Sequence, residues 1–256
     1  MPNAFRAVSL VIGVVTAAAF ASTAAADTIK VLTTGAVKSV VVALGPAFEA
    51  QTGHKLDVVN DTAGGVAKRV EGGEAFDVVV LTPAPLRDLA AKGKVVPDSV
   101  KSVVKVGIGI AVKNGAPMPE VKTVEQFRAL MLASRVAYID PAAGGSTGIY
   151  LTGLFEKMGI ANEIKARAVL VPGGLTGTRV VSGEADVALQ PISELLQVQG
   201  ITIVGPLPEA IQSYIEYAIA VSATTTRKEA AQKFVALVAG PAGAETMQAK
   251  GMLPLQ

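Results

Sequence analysis

The sequence predicts an α/β protein of two lobes, built on mixed, mainly parallel sheets and joined by a hinge. Three observations predict it. Val- and Ile-rich runs alternate with amphipathic helix-like segments along the chain, as in strand-helix-strand units. The pattern starts afresh after Lys113-Asn114-Gly115, which points to a second lobe. A closing pair of helices follows a long apolar strand near the end, as a chain returning to its first lobe requires.

The elements follow in order. Ile29 to Leu32 reads as a buried strand and Thr33-Thr34-Gly35 as a turn. Val37, Val40, Val41, Leu44 and Phe48 then fall on one face of a helix that Gly53 ends. Leu56 to Val59 makes a second strand, Asn60 to Gly65 a turn, and Val66 to Glu71 a short helix. Asp77 to Leu81 is a third strand, after which Thr82-Pro83 suits a helix start, because proline lacks only an N–H that has no partner there.

Val103 to Val112 is a long apolar strand. Thr123 with Gln126 forms the sequence of a capping box opening a helix to about Leu132. Val136 to Ile139, Ala168 to Val171 and Asp186 to Leu189 are further strands. Tyr214 to Val221 is another long strand, Thr226 with Glu229 reads as the cap of a helix reaching about Val238, and Gly240-Pro241 precedes the last helix. The two long strands, near 105–112 and 214–221, are the expected crossings of the hinge. Residues 27–107 and 218–256 then form lobe I and residues 108–217 lobe II.

Arg6, an apolar run from Ala7 to Phe20 and a small-residue stretch ahead of Asp27 make residues 1–26 read as a cleaved secretory signal. The run falls short of the roughly 20 residues a bilayer needs, which disfavours an anchor. The chain has no cysteine, hence no disulfide, no thiolate chemistry and no lipidated residue to tether it. A freely diffusing secreted protein needs a closed compartment, so the expected location is a periplasm.

The net charge of +2 is spread among interspersed acids and bases, which argues against nucleic acid and its need for a basic stripe. Aromatic residues are only 4% with no Trp, which disfavours sugar or choline ligands that stack on or within aromatic faces.

Three turns share one design: each follows a strand, is built from Thr, Ser, Gly and Ala, and opens a helix. They are Thr33-Thr34-Gly35, Thr62-Ala63-Gly64-Gly65 and Gly144-Gly145-Ser146-Thr147-Gly148. Such turns aim hydroxyls and N–H groups at a helix start, where the positive dipole end favours an anion. Singly each is an ordinary cap; together they predict one anion site between facing lobes. Arg179, in Leu175-Thr176-Gly177-Thr178-Arg179, reads equally as a guanidinium for a ligand carboxylate or as a solvated helix residue, and Arg69 as the latter.

Gly144-x-Ser146-x-Gly148 also fits the nucleophile elbow of a serine hydrolase. That chemistry needs a histidine base after the serine, and the only histidine, His54, lies far upstream. Walker, HExxH and EF-hand spacings are missing, so no metal, cofactor or catalytic role is expected.

Taken in order, Leu32-Thr33-Thr34-Gly35, Ala47 to His54, Asp61 to Ala67, Phe76 to Leu81, Asp140 to Gly144 and Ser182 to Val187 resemble the extracellular solute-binding proteins typified by the molybdate-binding component of ABC transporters. The resemblance spans residues 27–256. It implies a type II periplasmic-binding-protein fold, a small anionic ligand and a membrane permease as partners, and a monomer. The family's first-turn serine falls on Gly35, its second-turn serine on Thr62 or Ala63, and an alanine after the third strand on Thr82. Its second-lobe tyrosine falls on Pro191, after Leu189-Gln190, so an organic acid competes with molybdate as the expected ligand. The expected ligand-binding set is Thr34, Gly35, Thr62, Ala63, Gly64, Thr82, Gly145, Ser146, Thr147, Thr176, Arg179 and Gln190.

Overall fold

The structure is a computed structural model and describes residues 27–255; the signal expected at 1–26 lies outside them. The chain begins with β1 (Thr28–Thr34), α1 (Gly35–Thr52), β2 (Lys55–Asp61), α2 (Ala63–Glu71), β3 (Val78–Leu81), α3 (Pro83–Ala91) and the long β4 (Lys101–Lys113). It continues through α4 (Val124–Ala133), β5 (Val136–Ile139), α5 (Ser146–Lys157), α6 (Ala161–Lys165), β6 (Val169–Val171), α7 (Gly177–Val181), β7 (Val187–Pro191), α8 (Ile192–Leu195) and β8 (Ile201–Pro206). It ends with β9 (Tyr214–Val221), α9 (Lys228–Ala239), α10 (Pro241–Ala249) and the short β10 (Leu253–Pro254).

The strands form one mixed sheet in the order β2-β1-β3-β9-β4-β7-β5-β6, with β8 and β10 also paired to β4. The parallel ladders join β1 to β2 and β3, and β5 to β6 and β7. The ladders of β4 and β9 are antiparallel. Residues Lys101 to Gly107 of β4 pair with β9, and Ile108 to Lys113 pair with β7 and β8, so one strand belongs to both parts of the sheet. Among the described residues β9 pairs with β3 and the first half of β4 alone. Leu207 to Ser213 connect β8 to β9. Here Gln212 imitates a strand: its Oε1 accepts from the Ile108 N–H at 3.0 Å and its Nε2 donates to the Ile108 carbonyl at 3.0 Å.

Local chemistry explains the elements. In α1 the apolar positions 37, 40, 41, 44 and 48 are all buried, and Gly53 caps the helix with φ 75°. Pro46 is tolerated because it lies on the exposed face, where the carbonyl it leaves without a donor can meet water. The capping box of α4 is present, with Thr123 and Gln126 bonding each other's backbone N–H. The cap expected at Thr226 does not form; Arg227 stands at the N-cap without a side-chain bond. The neighbouring Thr225 explains this, since its hydroxyl donates to the buried Asp77 carboxylate and accepts from the Arg227 N–H, fixing the turn one residue later.

The largest core cluster runs through both parts of the sheet, from Val40, Phe48 and Phe234 past Ile108 to Phe127, Met131 and Phe155. Smaller clusters lie beneath α2 and α3, and beneath α7 and α8.

Candidate functional site

The carboxyl ends of β1 and β2 run straight into helices. β1 reaches Thr34 and α1 begins at Gly35; β2 reaches Asp61 and α2 begins at Ala63. Across from them, Gly145 is the N-cap of α5, which begins at Ser146. Between these helix starts lies a cavity of about 370 Å³.

The sequence-predicted Thr34, Gly35, Thr62, Ala63, Gly145, Ser146 and Thr147 all line it. Gly64 does not, but it closes the edge. Its N–H donates to the Gly144 carbonyl at 3.0 Å, and the Thr62 hydroxyl donates to the Ala143 carbonyl while accepting from the Gly65 N–H. A Cβ on Gly64 would lie 2.9 Å from the Gly144 Cα, and one on Gly144 2.8 Å from the Gly64 Cα, so only two glycines allow this approach.

Other expected site residues lie elsewhere. Thr82 is the N-cap of α3, outside the cavity lining. Thr176 and Gln190 are buried behind the wall, where Gln190 Oε1 accepts from the Thr176 N–H at 2.7 Å and hydroxyl at 2.9 Å. Arg179 is half-buried and paired with Glu184 at 3.1 Å, again outside the lining. Arg69 pairs with Asp61 at 3.0 Å and Glu74 at 3.1 Å on the outer side of the second turn.

The cavity also holds groups that the sequence reading missed: Lys38, Asn60, Asp61, Gly173, Gly174, Leu175, Glu194, Gln197 and Tyr217. Lys38 lies one turn along α1 from Gly35; it lines the cavity and has no ion-pair partner among the described residues. Tyr217 supplies a phenol from β9, whereas Pro191, at the family's tyrosine position, contributes only its ring.

Glu194 is the unusual group. It is buried at the cavity wall, and its Oε1 accepts from Gln190 Nε2 at 2.9 Å. The orientation of that amide is forced, because Gln190 Oε1 must face the Thr176 donors and Nε2 must then face Glu194 and the Gly174 carbonyl. With no cation paired to it among the described residues, burial pushes the Glu194 carboxyl up to about 8. Burial, and then the neighbouring Glu194, push the Tyr217 phenol up as well.

Thr34 offers the complementary feature. Its hydroxyl is buried beside the Tyr217 phenol without a partner at full hydrogen-bond geometry, and as N-cap of the 18-residue α1 it makes no side-chain cap bond. Unpaired N–H groups of the first helical turn stand beside it. A buried polar atom without a partner is costly, and a ligand acceptor in the cavity would relieve that cost.

The hydrolase alternative loses its base. His54 sits at the start of β2, with Nδ1 accepting from the Asp27 N–H at 3.1 Å. The cavity lies at the other end of that seven-residue strand, roughly 20 Å away at a strand's rise per residue. The glycines around Ser146 have a packing role instead, since a Cβ on Gly145 would meet the Ile139 side chain at 2.3 Å and one on Gly148 the Ile139 carbonyl at 2.0 Å.

Residues 29–253 match the model of a family described as bacterial extracellular solute-binding protein. A curated relative, aconitate isomerase of a Pseudomonas species, is 32% identical over 235 residues, covering 89% of this chain and 88% of that protein. Two solved structures share the fold. The periplasmic molybdate-binding protein of Azotobacter vinelandii has a TM-score of 0.73 at 19% identity, over 89% of this chain and 100% of that one. The sulfate-binding protein of Mycobacterium tuberculosis has a TM-score of 0.74 at 19% identity, over 90% of this chain and 88% of that one.

Proposed function

The chain belongs to the bacterial extracellular solute-binding protein family, and from that premise we propose that it captures a small organic polycarboxylate in the periplasm and delivers it to an ABC permease. The observation that carries the anionic ligand is the convergence on one cavity of the α1 and α5 N-termini, the unpartnered Thr34 hydroxyl and Lys38. Helix dipoles and hydroxyls suit any small anion. Lys38 and Glu194 add a fixed cation and a hydrogen-bonding carboxyl, which match a ligand with several carboxylates better than a compact tetrahedral oxyanion. The relative named aconitate isomerase, acting on a tricarboxylate, is far nearer in sequence than the oxyanion binders and favours the same ligand class.

Residues up to Gly107 and from about Ser213 onward form one lobe and the stretch between them the other, meeting at the cavity. The division of the β4 ladders at Gly107 and Ile108 supports the first boundary, and the Gln212 contacts to Ile108 support the second. Calorimetry against citrate, aconitate, succinate, molybdate and sulfate tests the reading. Tight binding of a tri- or dicarboxylate with none of molybdate or sulfate is the expected result, and selective molybdate binding would overturn it.

A second reading is favoured by Glu194. A buried carboxyl with a pKa near neutrality, facing a cavity, is what general acid-base chemistry requires. In this reading the ionised Glu194 takes an allylic proton from an unsaturated tricarboxylate, the double bond shifts, and the Glu194 carboxyl, whose proton exchanges with solvent, delivers one proton to the far carbon, with nothing consumed. Proton NMR of aconitate in deuterated water tests it: exchange and cis-trans conversion with the wild type, absent with Glu194→Gln, support turnover. Binding without exchange leaves a capture protein alone.

A further inference from the structure

We propose that Glu194 makes anion capture proton-coupled: the occupied cavity holds one proton shared between the Glu194 carboxyl and a carboxylate of the ligand. The proposal rests on the anion-site reading above and adds a rule about charge state that the site enforces.

Geometry carries it. Glu194 Oε1 is held by the Gln190 amide and lies over Gly35, where an added Cβ would be 2.4 Å away, so the carboxyl fills the space that a side chain at position 35 would take. Helix α8, which carries it, packs on α1, β4, β7 and β8. Neither β7 nor β8 bears a charged side chain, and the part of β4 against α8, around Gly109, is apolar. The titratable and charged groups that share the cavity with Glu194 are Tyr217 from β9, Lys38 from α1 and Asp61 from β2. Asp61 is already engaged with Arg69 and the Thr62 N–H.

A ligand carboxylate drawn in by the helix starts and Lys38 therefore meets a carboxyl that no cation neutralises. Two ionised carboxylates side by side in a desolvated cavity repel strongly, and sharing one proton turns the repulsion into a hydrogen bond. Burial of Glu194 means that the empty protein already holds this proton at neutral pH. A fully ionised ligand without a proton of its own is accepted only while Glu194 supplies it.

The experiment measures the affinity of citrate and of succinate between pH 6 and pH 10, with wild type and Glu194→Gln, and the proton uptake on binding at pH 9 in two buffers of different ionisation enthalpy. The expected wild-type affinity is flat below about pH 8 and falls about tenfold per unit above it, with uptake approaching one proton. The amide of Glu194→Gln donates without titrating, so its profile is expected to be flat through the same range. Contributions of Lys38 or Asp61 are common to both proteins and cancel in the comparison. Parallel profiles overturn the proposal. So does binding to the wild type without proton uptake, a readout that needs no variant to fold. Failure of both probes to bind at any pH overturns the anion-site reading and this proposal with it.

Discussion

Gly35 and Glu194 compete for one volume: a Cβ on Gly35 would lie 2.4 Å from Oε1 of the buried Glu194. Position 35 is a glycine, and the space a side chain would take there is filled by a carboxyl from α8. Gly35→Ala is therefore expected to destabilise the protein by about 1–3 kcal/mol through overpacking. In a Glu194→Ala background the same change should cost far less, because the obstructing atom is gone. Urea unfolding of the four proteins checks this, and equal costs in both backgrounds would show that the two residues do not compete.

Glu194 also sets a pH dependence of stability. Its folded pKa, about 8, is raised above the unfolded value near 4.5. The group's contribution is thus fully present below about pH 4.5 and is lost as pH rises through about 8. Between those limits the wild type should lose stability relative to Glu194→Gln, by an amount on the order of a few kcal/mol. Denaturant melts of both proteins from pH 4 to pH 9 measure the difference, which should grow with pH.

Thr34 should separate binding from stability. Its hydroxyl has no partner in the empty cavity, so Thr34→Val should leave stability unchanged or slightly improved. Affinity for the anion should fall about tenfold, since a hydrogen bond to a charged group contributes about 1.5–3 kcal/mol. Thr62→Val should differ, lowering stability by about 1 kcal/mol as well, because that hydroxyl caps α2 and holds Ala143. Calorimetry beside thermal melts distinguishes the two.

The two candidate cations should part company. Lys38→Gln is expected to weaken carboxylate binding tenfold or more, whereas Arg179→Gln, which loses only the exposed pair with Glu184, should change affinity less than twofold. Titration of both variants with citrate checks this, and a large loss at Arg179 would bring that residue back into the site.

Gly144 has φ 74° and its Cα packs on Gly64. Gly144→Ala should strain the backbone, part the two turns and accelerate ligand release, with Gly145→Ala as an overpacking control at Ile139. Stopped-flow dissociation rates measure it; an unchanged rate with Gly144→Ala would mean that the contact does not govern release.

The pattern of strands and helices was legible because periodicity is local: the face of α1, the capping box of α4 and the boundaries of β5 all follow from near neighbours. The three turns were legible for the same reason, each carrying its own hydroxyls and glycines. Thr226 was misread because Thr225 answers to Asp77, far away in sequence. β8 was missed because its six residues are only partly buried and carry no clear alternation. Glu194 and Tyr217 were invisible for a deeper reason. A glutamate after Ser193 and a tyrosine in an apolar strand look like any others until folding removes water from around them, and their chemistry comes from that removal. Lys38 drew no reading at all, since helical spacing gives no hint of which partly exposed residues border a cavity.

The pairing of β3 with β9 carries a consequence for how the chain assembles. The partner of Val78 is Val221, so the edge of β3 stays bare while everything between is synthesised. Such an edge is a template for pairing with another chain, and pairing over so long a separation is slow. The block from Ile108 to Pro206 can order itself around β5 and β7 meanwhile, because its parallel ladders draw on nearer neighbours. The part of the molecule written first is therefore finished last, and a chain that stops before Tyr214 retains an open, aggregation-prone edge however well its later half has folded.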